Sequence, residues 1–294
     1  MKIIVFGGSG FLGSHVCDAL SESGHSVIIF DNRKSEFLRK DQKMVVGDIL
    51  DEKLVNKTVK LCDIVYNFAG IADIAECARR PLDAVKYNVL GNSVILEAAR
   101  RAKIKRFLFA SSSYVYSNYG SFYKSSKQSC EHFIHSYQEK FGLPYTILRY
   151  GSLYGGRSDD RNTVHRILKE AMTKGSITYH GTGDEIREYI HVRDAAELSV
   201  KMLEAEFANK NVMLTGPSAM RYRDILEMIK EIMGNKIKIV YTKKISETHY
   251  KLSPYNYNKP ELGKKIFNNH YIELGVGLVE CMDEISGNIG KKDE

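Results

Sequence analysis

Short apolar runs alternate with amphipathic segments along the first 150 residues of the chain. The runs have the length and apolar character of strands buried on both faces of a parallel sheet. They cover residues 3–6, 27–30, 44–46, 64–68, 107–110 and 146–149. Helical patterns between several of them predict helices over residues 51–59, 82–102 and 123–141. Strands separated by helices require crossover connections, so the pattern predicts an α/β fold with a doubly wound parallel sheet.

The pattern becomes looser after residue 155, and no linker or internal repeat divides the chain. Further helices are predicted over residues 163–173, 194–206 and 223–233, with short strands between them. We therefore predict a sheet domain over residues 1–160, to which about 186–210 return, and a smaller C-terminal α/β substrate-binding cap over 161–294. A ligand is expected between cap and sheet, outside the carboxyl ends of the strands.

The turn after the first strand contains three glycines, Gly7, Gly10 and Gly13, and leads directly into an amphipathic helix. Glycines at this spacing allow a tight turn, close approach of a pyrophosphate to backbone N–H groups, and tight helix packing. The second strand ends at Asp31, where a carboxylate accepts hydrogen bonds from a ribose diol. Because that carboxylate repels the 2′-phosphate of NADP, the expected cofactor is NAD, although Arg33 and Lys34 lie nearby.

A second group of polar residues lies at the start of the predicted helix 123–141. Tyr123 and Lys127 are four residues apart, so they share one face of that helix. A neighbouring ammonium group favours a phenolate and lowers the phenol pKa from about 10. Tyr123 is therefore a candidate general base for a sugar hydroxyl. A serine cluster at residues 111–113 ends the preceding strand, and its hydroxyls can hydrogen-bond the reacting oxygen.

Composition and charge narrow the class of protein. The 294 residues can bury a large core, and five cysteines without a C-x-x-C pair indicate neither a disulfide framework nor a metal site. The net charge of +7 is spread along the chain, without the basic stripe of a nucleic-acid-binding surface. The first strand begins at Lys2, and no apolar run approaches the length of a membrane span. We expect a cytoplasmic protein that binds neither nucleic acid nor membrane.

Together these motifs and several others resemble the extended short-chain dehydrogenase/reductase family, in its NAD-dependent nucleotide-sugar epimerase/dehydratase branch, typified by UDP-glucose 4-epimerase. The matching segments are GGSGFLGSH (7–15), FDN (30–32), VVGDI (45–49), NFAG (67–70), the E-x-x-x-x-P run (76–81), NVLGN (88–92), the serine cluster (111–116), YKSSK (123–127), LRYGSLYGGR (148–157) and GTGDEIREYIHVRDAA (181–196). The resemblance covers nearly the whole chain. It implies a Rossmann domain that binds NAD and an enzyme that acts on a nucleoside-diphosphate sugar.

The resemblance also implies which residues form the sites. The catalytic residues would be Ser112, Tyr123 and Lys127. Contacts to the cofactor would come from Gly7, Gly10, Phe11, Leu12, Gly13, Asp31, Asn32, Asp48, Ile49, Phe68, Ala69, Gly70, Asn88, Tyr123, Lys127 and Tyr150. Contacts to the substrate would come from Ser112, Ser113, Ser152, Arg157, Asn162 and Arg187. Among these, the Arg187 guanidinium suits the nucleotide diphosphate because it donates bidentate hydrogen bonds.

Departures from the family pattern narrow the reaction. Members that dehydrate sugars at carbons 4 and 6 carry Asp-Glu directly after the catalytic hydroxyl, where this chain has Ser113 and Tyr114. The ordinary pKa values of these side chains are too high for that acid–base work near neutral pH, which disfavours 4,6-dehydration. The segment between Tyr116 and Tyr123 is also short, and Ser152 replaces the family's substrate-contacting Asn. Which sugar and which nucleotide are bound therefore stays open.

Three functions remain, and the first is the preferred one. Transient oxidation at sugar carbon 4, followed by return of the hydride to the other face, would make the protein a 4-epimerase. A net NAD-dependent 4-dehydrogenase or reductase of a GDP- or UDP-linked sugar would share the first half-reaction. A non-catalytic NAD-binding module is the third, because a fold alone does not establish activity. The combination of Ser112, Tyr123 and Lys127 argues against it.

The resemblance further implies a homodimer in which the helices over 82–102 and 123–141 form a four-helix bundle across a two-fold axis. Phe133, Ile134 and Tyr137 recur at helical spacing and are expected to supply its apolar contacts. The same spacing of apolar residues would also arise if these side chains packed into the core of one chain.

Overall fold

A computed structural model describes residues 1–242 and 263–290 of the chain. Its strands are β1 (Lys2–Phe6), β2 (Ser26–Asp31), β3 (Lys43–Val46), β4 (Ile64–Asn67), β5 (Arg106–Ser112), β6 (Tyr145–Tyr150), β7 (Ser152–Tyr154), β8 (Ser176–His180), β9 (Ile186–His191), β10 (Lys210–Leu214), β11 (Ala219–Arg221), β12 (Lys238–Thr242) and β13 (Lys264–Lys265). The α-helices are α1 (Phe11–Glu22), α2 (Glu52–Val59), α3 (Ile74–Arg79), α4 (Pro81–Asp83), α5 (Gly91–Arg101), α6 (Ser121–Phe141), α7 (Thr163–Lys174), α8 (Val192–Lys201), α9 (Tyr222–Ile232) and α10 (Leu274–Gly290).

The largest sheet is parallel and confirms the predicted doubly wound fold. Its order among the described residues is β13-β10-β6-β5-β4-β1-β2-β3, and every pairing within it is parallel. The strand order reverses between β1 and β4, because the chain runs outward from β1 to β3 and then returns to β4. Ligands of such sheets bind at this switch point, outside the carboxyl ends of the strands.

Both faces of this sheet are buried, which explains the continuous apolar runs. In β1, Ile3 and Val5 pack into one hydrophobic cluster with α1 and α8. Ile4 and Phe6 face the opposite way and pack with α2, α5 and α6. Since successive side chains of a strand point to opposite faces, a strand covered on both faces needs apolar residues at every position.

The C-terminal part contributes a separate, smaller cluster. Apolar residues of α7, α9 and α10 pack together with those of β8 and β12, which form a two-stranded sheet. The strands of a three-stranded sheet, β11-β9-β7, alternate in sequence with strands of the other two sheets. No helix within the described ranges is both long and apolar enough to cross a bilayer.

Two features differ from the predicted elements. The helix expected over 82–102 is divided into α4, a π-helical segment Ala84–Leu90, and α5. Short π-helical segments occur frequently at functional sites, and this one contains Asn88. In addition, β10 and β13 extend the large sheet beyond β6. The two lysines of β13 carry no apolar pattern, so only the folded chain reveals this strand.

Candidate active site

A cavity of about 410 Å³ opens where β1, β2, β3 and β4 end. Its lining comes from the turns and loops that follow these strands, from α3 and its C-terminal flank, and from the loop before α7. The lining residues are Gly7, Gly10, Phe30, Asp31, Asn32, Arg33, Gly47, Asp48, Ile49, Phe68, Ala69, Gly70, Ile71, Glu76, Arg80, Tyr87 and Arg161. Most of the cofactor-binding residues expected from the sequence lie in this one cavity.

The glycine turn shapes one wall of the cavity. Gly7 has a φ of +76°, and a Cβ on it would lie 2.6 Å from the backbone nitrogen of Ala69, so only glycine fits there. A Cβ on Gly13 would collide with the carbonyl of Gly7. Because glycine has no Cβ, α1 can pack closely against the turn. Gly10 caps α1 without a side-chain hydrogen bond, so no side chain occupies the first amides of the helix. Such a helix N-terminus is an anion-binding position.

Asp31 lies beside the glycine turn, where its carboxylate is held by two backbone amides. The Ser9 amide donates to Oδ2 at 3.0 Å, and the Arg33 amide donates to Oδ1 at 3.3 Å. The Arg33 guanidinium reaches the carbonyl of Ser9 at 3.4 Å. A fixed carboxylate at the end of β2 is the arrangement that accepts hydrogen bonds from a ribose diol.

These residues fit a nicotinamide dinucleotide. The α1 N-terminus supplies donors for a pyrophosphate, and the carboxylate of Asp31 supplies acceptors for a ribose. Asp48 and Ile49 follow β3 and line the same cavity. The pocket would therefore hold the cofactor along the carboxyl ends of β1 to β4.

Several expected cofactor residues lie behind the cavity wall. Leu12 is part of the core under α1, and the hydroxyl of Tyr150 shares a 2.6 Å hydrogen bond with Ser199 Oγ. The Asn88 side chain accepts from the Ile71 amide at 2.7 Å and donates to Ser126 Oγ at 2.9 Å. The residues set behind the lining are Phe11, Leu12, Gly13, Asn88 and Tyr150. Their contacts in the structure shape the wall, and direct contact with a cofactor stays a prediction.

The catalytic candidates lie near Ile71 of the cavity lining, because Asn88 accepts from the Ile71 amide and donates to Ser126 of α6, the residue before Lys127. Ser112 ends β5, and Tyr123 and Lys127 occupy one face of α6, in the first two turns. The hydroxyls of Ser112 and Tyr123 share a hydrogen bond. Lys127 is buried, and its Nζ donates to the carbonyl of Ala110 at 2.8 Å while lying 5.8 Å from the ring centroid of Tyr123. The structure thus brings together the three residues that the sequence singled out.

Burial controls the protonation of this group. It raises the pKa of Tyr123 to about 12, while the hydrogen bond with Ser112 acts in the lowering direction. Burial also lowers the pKa of the Lys127 ammonium, and the nearby Cys130, Cys77 and Glu131 oppose that change. The expected fall of the phenol pKa toward neutrality is therefore absent from this structure. The loss of hydration destabilises the phenolate by more free energy than the hydrogen bond from the neighbouring hydroxyl restores.

The positions that carry acids in sugar dehydratases hold no carboxylate here. Ser113 begins a 3₁₀ turn and is buried. The ring of Tyr114 lies edge-on to that of Tyr123, with the centroids 6.3 Å apart. An aromatic side chain, and not an acid, therefore lies beside the candidate base.

The four expected substrate residues other than Ser112 and Ser113 fall into two pairs. Arg187 is buried on β9, donates from Nη1 to the carbonyl of Ile186 at 2.7 Å, and lies 5.5 Å from the ring of Tyr222. Ser152 is half-buried on β7 beside β9. Both are therefore carried by the three-stranded sheet of β11, β9 and β7.

The other two residues have structural partners. Arg157 forms a 2.7 Å ion pair with Asp18 of α1, and its guanidinium lies 4.4 Å from the ring of Phe37. Asn162 caps α7 by accepting from the amides of Val164 and His165, and its Nδ2 donates to the carbonyl of Leu153. These contacts tie the loop after β7 to α1 and to the start of α7, and a role in substrate binding stays a prediction for both.

Several side chains near the site lay outside the sequence-based set, among them Arg80, Arg161 and Glu131. Arg80 and Arg161 line the cavity from α3's C-terminal flank and from the loop before α7. Glu131 lies one helical turn beyond Lys127 and binds Arg149 of β6. Glu131 could have been found from the sequence, because its four-residue spacing from Lys127 places both on one face of the predicted helix. Nothing in the sequence indicated that the loop containing Arg161 approaches the cavity.

Comparison with known proteins agrees with this geometry. The sequence model of the NAD dependent epimerase/dehydratase family matches residues 3–215. A Methanocaldococcus jannaschii protein named as a UDP-glucose 4-epimerase is 31% identical over 268 residues, covering 82% of this chain and 85% of the relative. A UDP-N-acetyl-alpha-D-glucosaminuronate decarboxylase of Bacillus cytotoxicus is 26% identical over 269 residues, covering 82% of this chain and 83% of that protein.

Among solved structures, the Thermotoga maritima UDP-glucose 4-epimerase with UDP-glucose is similar over 98% of this chain and 100% of its own. The TM-score is 0.86 at 27% sequence identity. The similarity therefore extends through the C-terminal part of the chain as well as the parallel sheet.

Proposed function

The chain belongs to the NAD dependent epimerase/dehydratase family, whose cofactor is NAD, and from this premise we propose that it is a 4-epimerase of a UDP-linked sugar. The single observation that carries the proposal is the grouping of Ser112, Tyr123 and Lys127 beside the dinucleotide cavity, with no carboxylate at positions 113 and 114. This grouping can remove a proton from a hydroxyl, and it lacks the acids that would eliminate water.

Tyr123 is the general base in this proposal, and Ser112 is the hydrogen-bond partner of the reacting oxygen. When bound, NAD supplies a hydride acceptor and a positively charged ring. Lys127 favours the phenolate form of Tyr123 by its charge, and its hydrogen bond to Ala110 holds the ammonium in place. Tyr123 takes the proton from the hydroxyl on sugar carbon 4 and later returns it to the inverted alcohol. The proton is thus conserved over one turnover.

The diphosphate of the nucleotide sugar is the proposed binding group at a distance from the reacting carbon. A buried guanidinium at Arg187 can donate two hydrogen bonds to phosphate oxygens. Binding energy from such a remote group can position the sugar at the reacting centre. Uridine is the proposed base because both curated relatives described above carry UDP-linked substrates in their names.

Proton NMR of UDP sugars incubated with the enzyme and NAD tests the proposal directly. We expect one UDP hexose to be converted to its C4 epimer without net accumulation of reduced nicotinamide. Accumulation of one reduced nicotinamide per sugar would support the alternative, a net 4-dehydrogenase. Release of carbon dioxide from a UDP uronic acid would show that this protein catalyses a decarboxylation, as the name of the Bacillus cytotoxicus relative describes. No reaction with any UDP sugar would overturn the proposal.

Uridine diphosphate is expected to stabilise the protein more than GDP, CDP or dTDP in a thermal-shift experiment with NAD present. At a concentration 100 times its Kd, a ligand adds about 2.7 kcal/mol to the free energy of unfolding. Arg187→Ala should abolish this stabilisation, whereas Arg166→Ala, at an exposed arginine of α7, should keep it.

The Tm of each variant without ligand shows whether it is folded. Arg187→Lys separates charge from geometry, because lysine keeps the charge and lacks the planar fork. Equal stabilisation by all four nucleotides would contradict uridine recognition, and an unchanged shift in Arg187→Ala would contradict the role of Arg187.

We also propose that two copies of the chain associate through α5, α6 and the π-helical segment. Apolar side chains are exposed there, with Val85 55%, Leu90 53% and Phe133 46% accessible. Of the three residues expected to make the contact, only Phe133 is exposed. Ile134 is 1% accessible and belongs to the core, and Tyr137 donates to Glu97 Oε2 within the same chain.

Phe133→Glu is expected to convert a dimer into a monomer at micromolar concentration, because it places a charge in the apolar centre of the proposed contact. Sedimentation velocity measures the change. Lys57→Glu, at an exposed position of α2, is the control and should leave the dimer intact. A parent protein that sediments as a monomer would contradict the proposed association.

A further inference from the structure

One ion pair is buried between the catalytic helix and the sheet. Glu131 of α6 binds Arg149 of β6 through two parallel hydrogen bonds, Nε to Oε1 at 2.9 Å and Nη2 to Oε2 at 2.7 Å. Their side chains are only 8% and 6% exposed. Ser111 Oγ donates to the same carboxylate at 2.6 Å. The bidentate pair has a single good geometry, because both donors and both acceptors are planar.

The pair is connected to the catalytic candidates through α6 and β5. Glu131 follows Tyr123 and Lys127 at successive four-residue steps, so the three lie along one face of α6. Ser111 directly precedes Ser112 and is the register partner of Arg149 in the β5–β6 ladder. The carboxylate of Glu131 therefore connects the helix of the base and the lysine with the strand end of Ser112.

Arg149 also holds the turn that follows Ser112. Its Nη1 donates to the hydroxyl of Tyr116, and its guanidinium carbon lies 4.7 Å from the ring centroid of Tyr116. The same hydroxyl accepts from the Gly263 amide at 2.9 Å, where the chain returns to pair as β13. At the other end of this turn, the Tyr114 amide donates to Ser112 Oγ at 3.3 Å. One guanidinium thus links β6, the 113–116 turn and Gly263.

Resting on the proposed function, we infer that Glu131 and Arg149 are positioning residues that set the place of Tyr123 and Lys127 relative to Ser112. Stability alone does not account for such a pair, because apolar replacement of a buried ion pair is often neutral or stabilising. Orientation does account for it, since a displacement of about 1 Å at a reacting group can cost about 100-fold in rate.

The pair also affects the charge state of Lys127. The groups that face this ammonium are Cys77 from α3, Tyr123, Cys130 and Glu131 from α6, and the Ala110 carbonyl of β5. Glu131 is the carboxylate among them, and it opposes the lowering of the Lys127 pKa by burial. Removing Glu131 should lower that pKa further, so activity should be lost at a lower pH on the alkaline side.

The test replaces both partners together, because removing one leaves an unpaired buried charge that can prevent folding. In Glu131→Met/Arg149→Met, we expect a folded protein with unchanged affinity for NAD, a kcat about 100-fold lower, and a KM within about threefold of the parent. The alkaline limb of the pH profile should move to lower pH. The matched control is Glu188→Met/Lys265→Met, which removes another largely buried ion pair of 3.1 Å. It should keep kcat.

Hydrogen exchange gives a readout that does not depend on turnover. The Gly263 and Tyr114 amides should exchange faster in the Glu131→Met/Arg149→Met protein than in the parent and the control. A kcat equal to the parent's, or unchanged exchange at both amides, would overturn the inference. If the parent converts no UDP sugar, the proposed function fails, and the exchange of these two amides still decides whether the pair positions the turn.

Discussion

Replacing Tyr123 with phenylalanine is expected to lower kcat on the order of 1,000-fold, while the affinity for NAD changes little. The substitution keeps the ring and removes the phenol oxygen that takes the sugar proton in the proposed reaction. General acid–base catalysis contributes about 100- to 10,000-fold to a rate. The hydrogen bond with Ser112 is lost as well. Conversion of the UDP sugar, followed by NMR, measures kcat, and titration with NAD measures binding.

The pH dependence separates loss of the base from a general defect. Burial raises the pKa of Tyr123 in the structure to about 12. Because only the phenolate accepts a proton, the parent rate should rise with pH on the acid side of the profile, below the alkaline limb at which Lys127 loses its charge. Tyr123→Phe should lose this rise. Tyr119→Phe removes an exposed phenol from the loop before α6 and serves as the control. Activity of Tyr123→Phe within about tenfold of the parent would contradict the assignment.

The second large effect is expected for Lys127→Met, with a fall in kcat of about 100-fold and weaker binding of NAD. Methionine can occupy the space beside the rings of Phe109 and Tyr123 that the lysine stem now fills. It removes the positive charge that favours the phenolate, and it leaves the Ala110 carbonyl without its 2.8 Å donor. An unsatisfied buried acceptor costs about 1–3 kcal/mol, so the Tm is expected to fall modestly.

Three quantities of this variant are measured: kcat by steady-state kinetics, the pH dependence of the rate, and the affinity for NAD by titration. The rise of rate with pH should move to higher pH, because the phenolate loses a neighbouring cation. Lys124→Met applies the same substitution on the same helix, three residues earlier, and should leave all three quantities unchanged. A Lys127→Met enzyme that changes only KM would remove Lys127 from the proton chemistry.

The sheet and its cofactor cavity follow from local patterns in the sequence. Each apolar run up to residue 150 is long enough to predict its strand, and the glycine turn lies directly between its strand and its helix. Tyr123 and Lys127 fall on one face because four residues make about one turn of any α-helix. The site residues predicted best are therefore those whose relation depends on short spacing. Gly7, Gly10 and Asp31 lie around one cavity for this reason.

Features that depend on distant segments were set by the tertiary structure alone. The Arg157 guanidinium pairs with Asp18, which lies 139 residues earlier, and the Asn162 side chain is used to cap α7. Ile134 lies in the core while its neighbour Phe133 is exposed, and the two-residue strand β13 is defined only by its pairing with β10.

The protonation of the catalytic group shows the difference most directly. The sequence by itself determined the parallel sheet, the dinucleotide site and the Tyr123–Lys127 face of α6, because each depends on residues close together in the chain. Only the folded molecule decided that burial dominates the pKa of Tyr123, that Lys127 donates to Ala110, and that Glu131 meets Arg149. Desolvation and ion pairing depend on what surrounds a side chain in space, and those neighbours come from strands and loops far away in sequence.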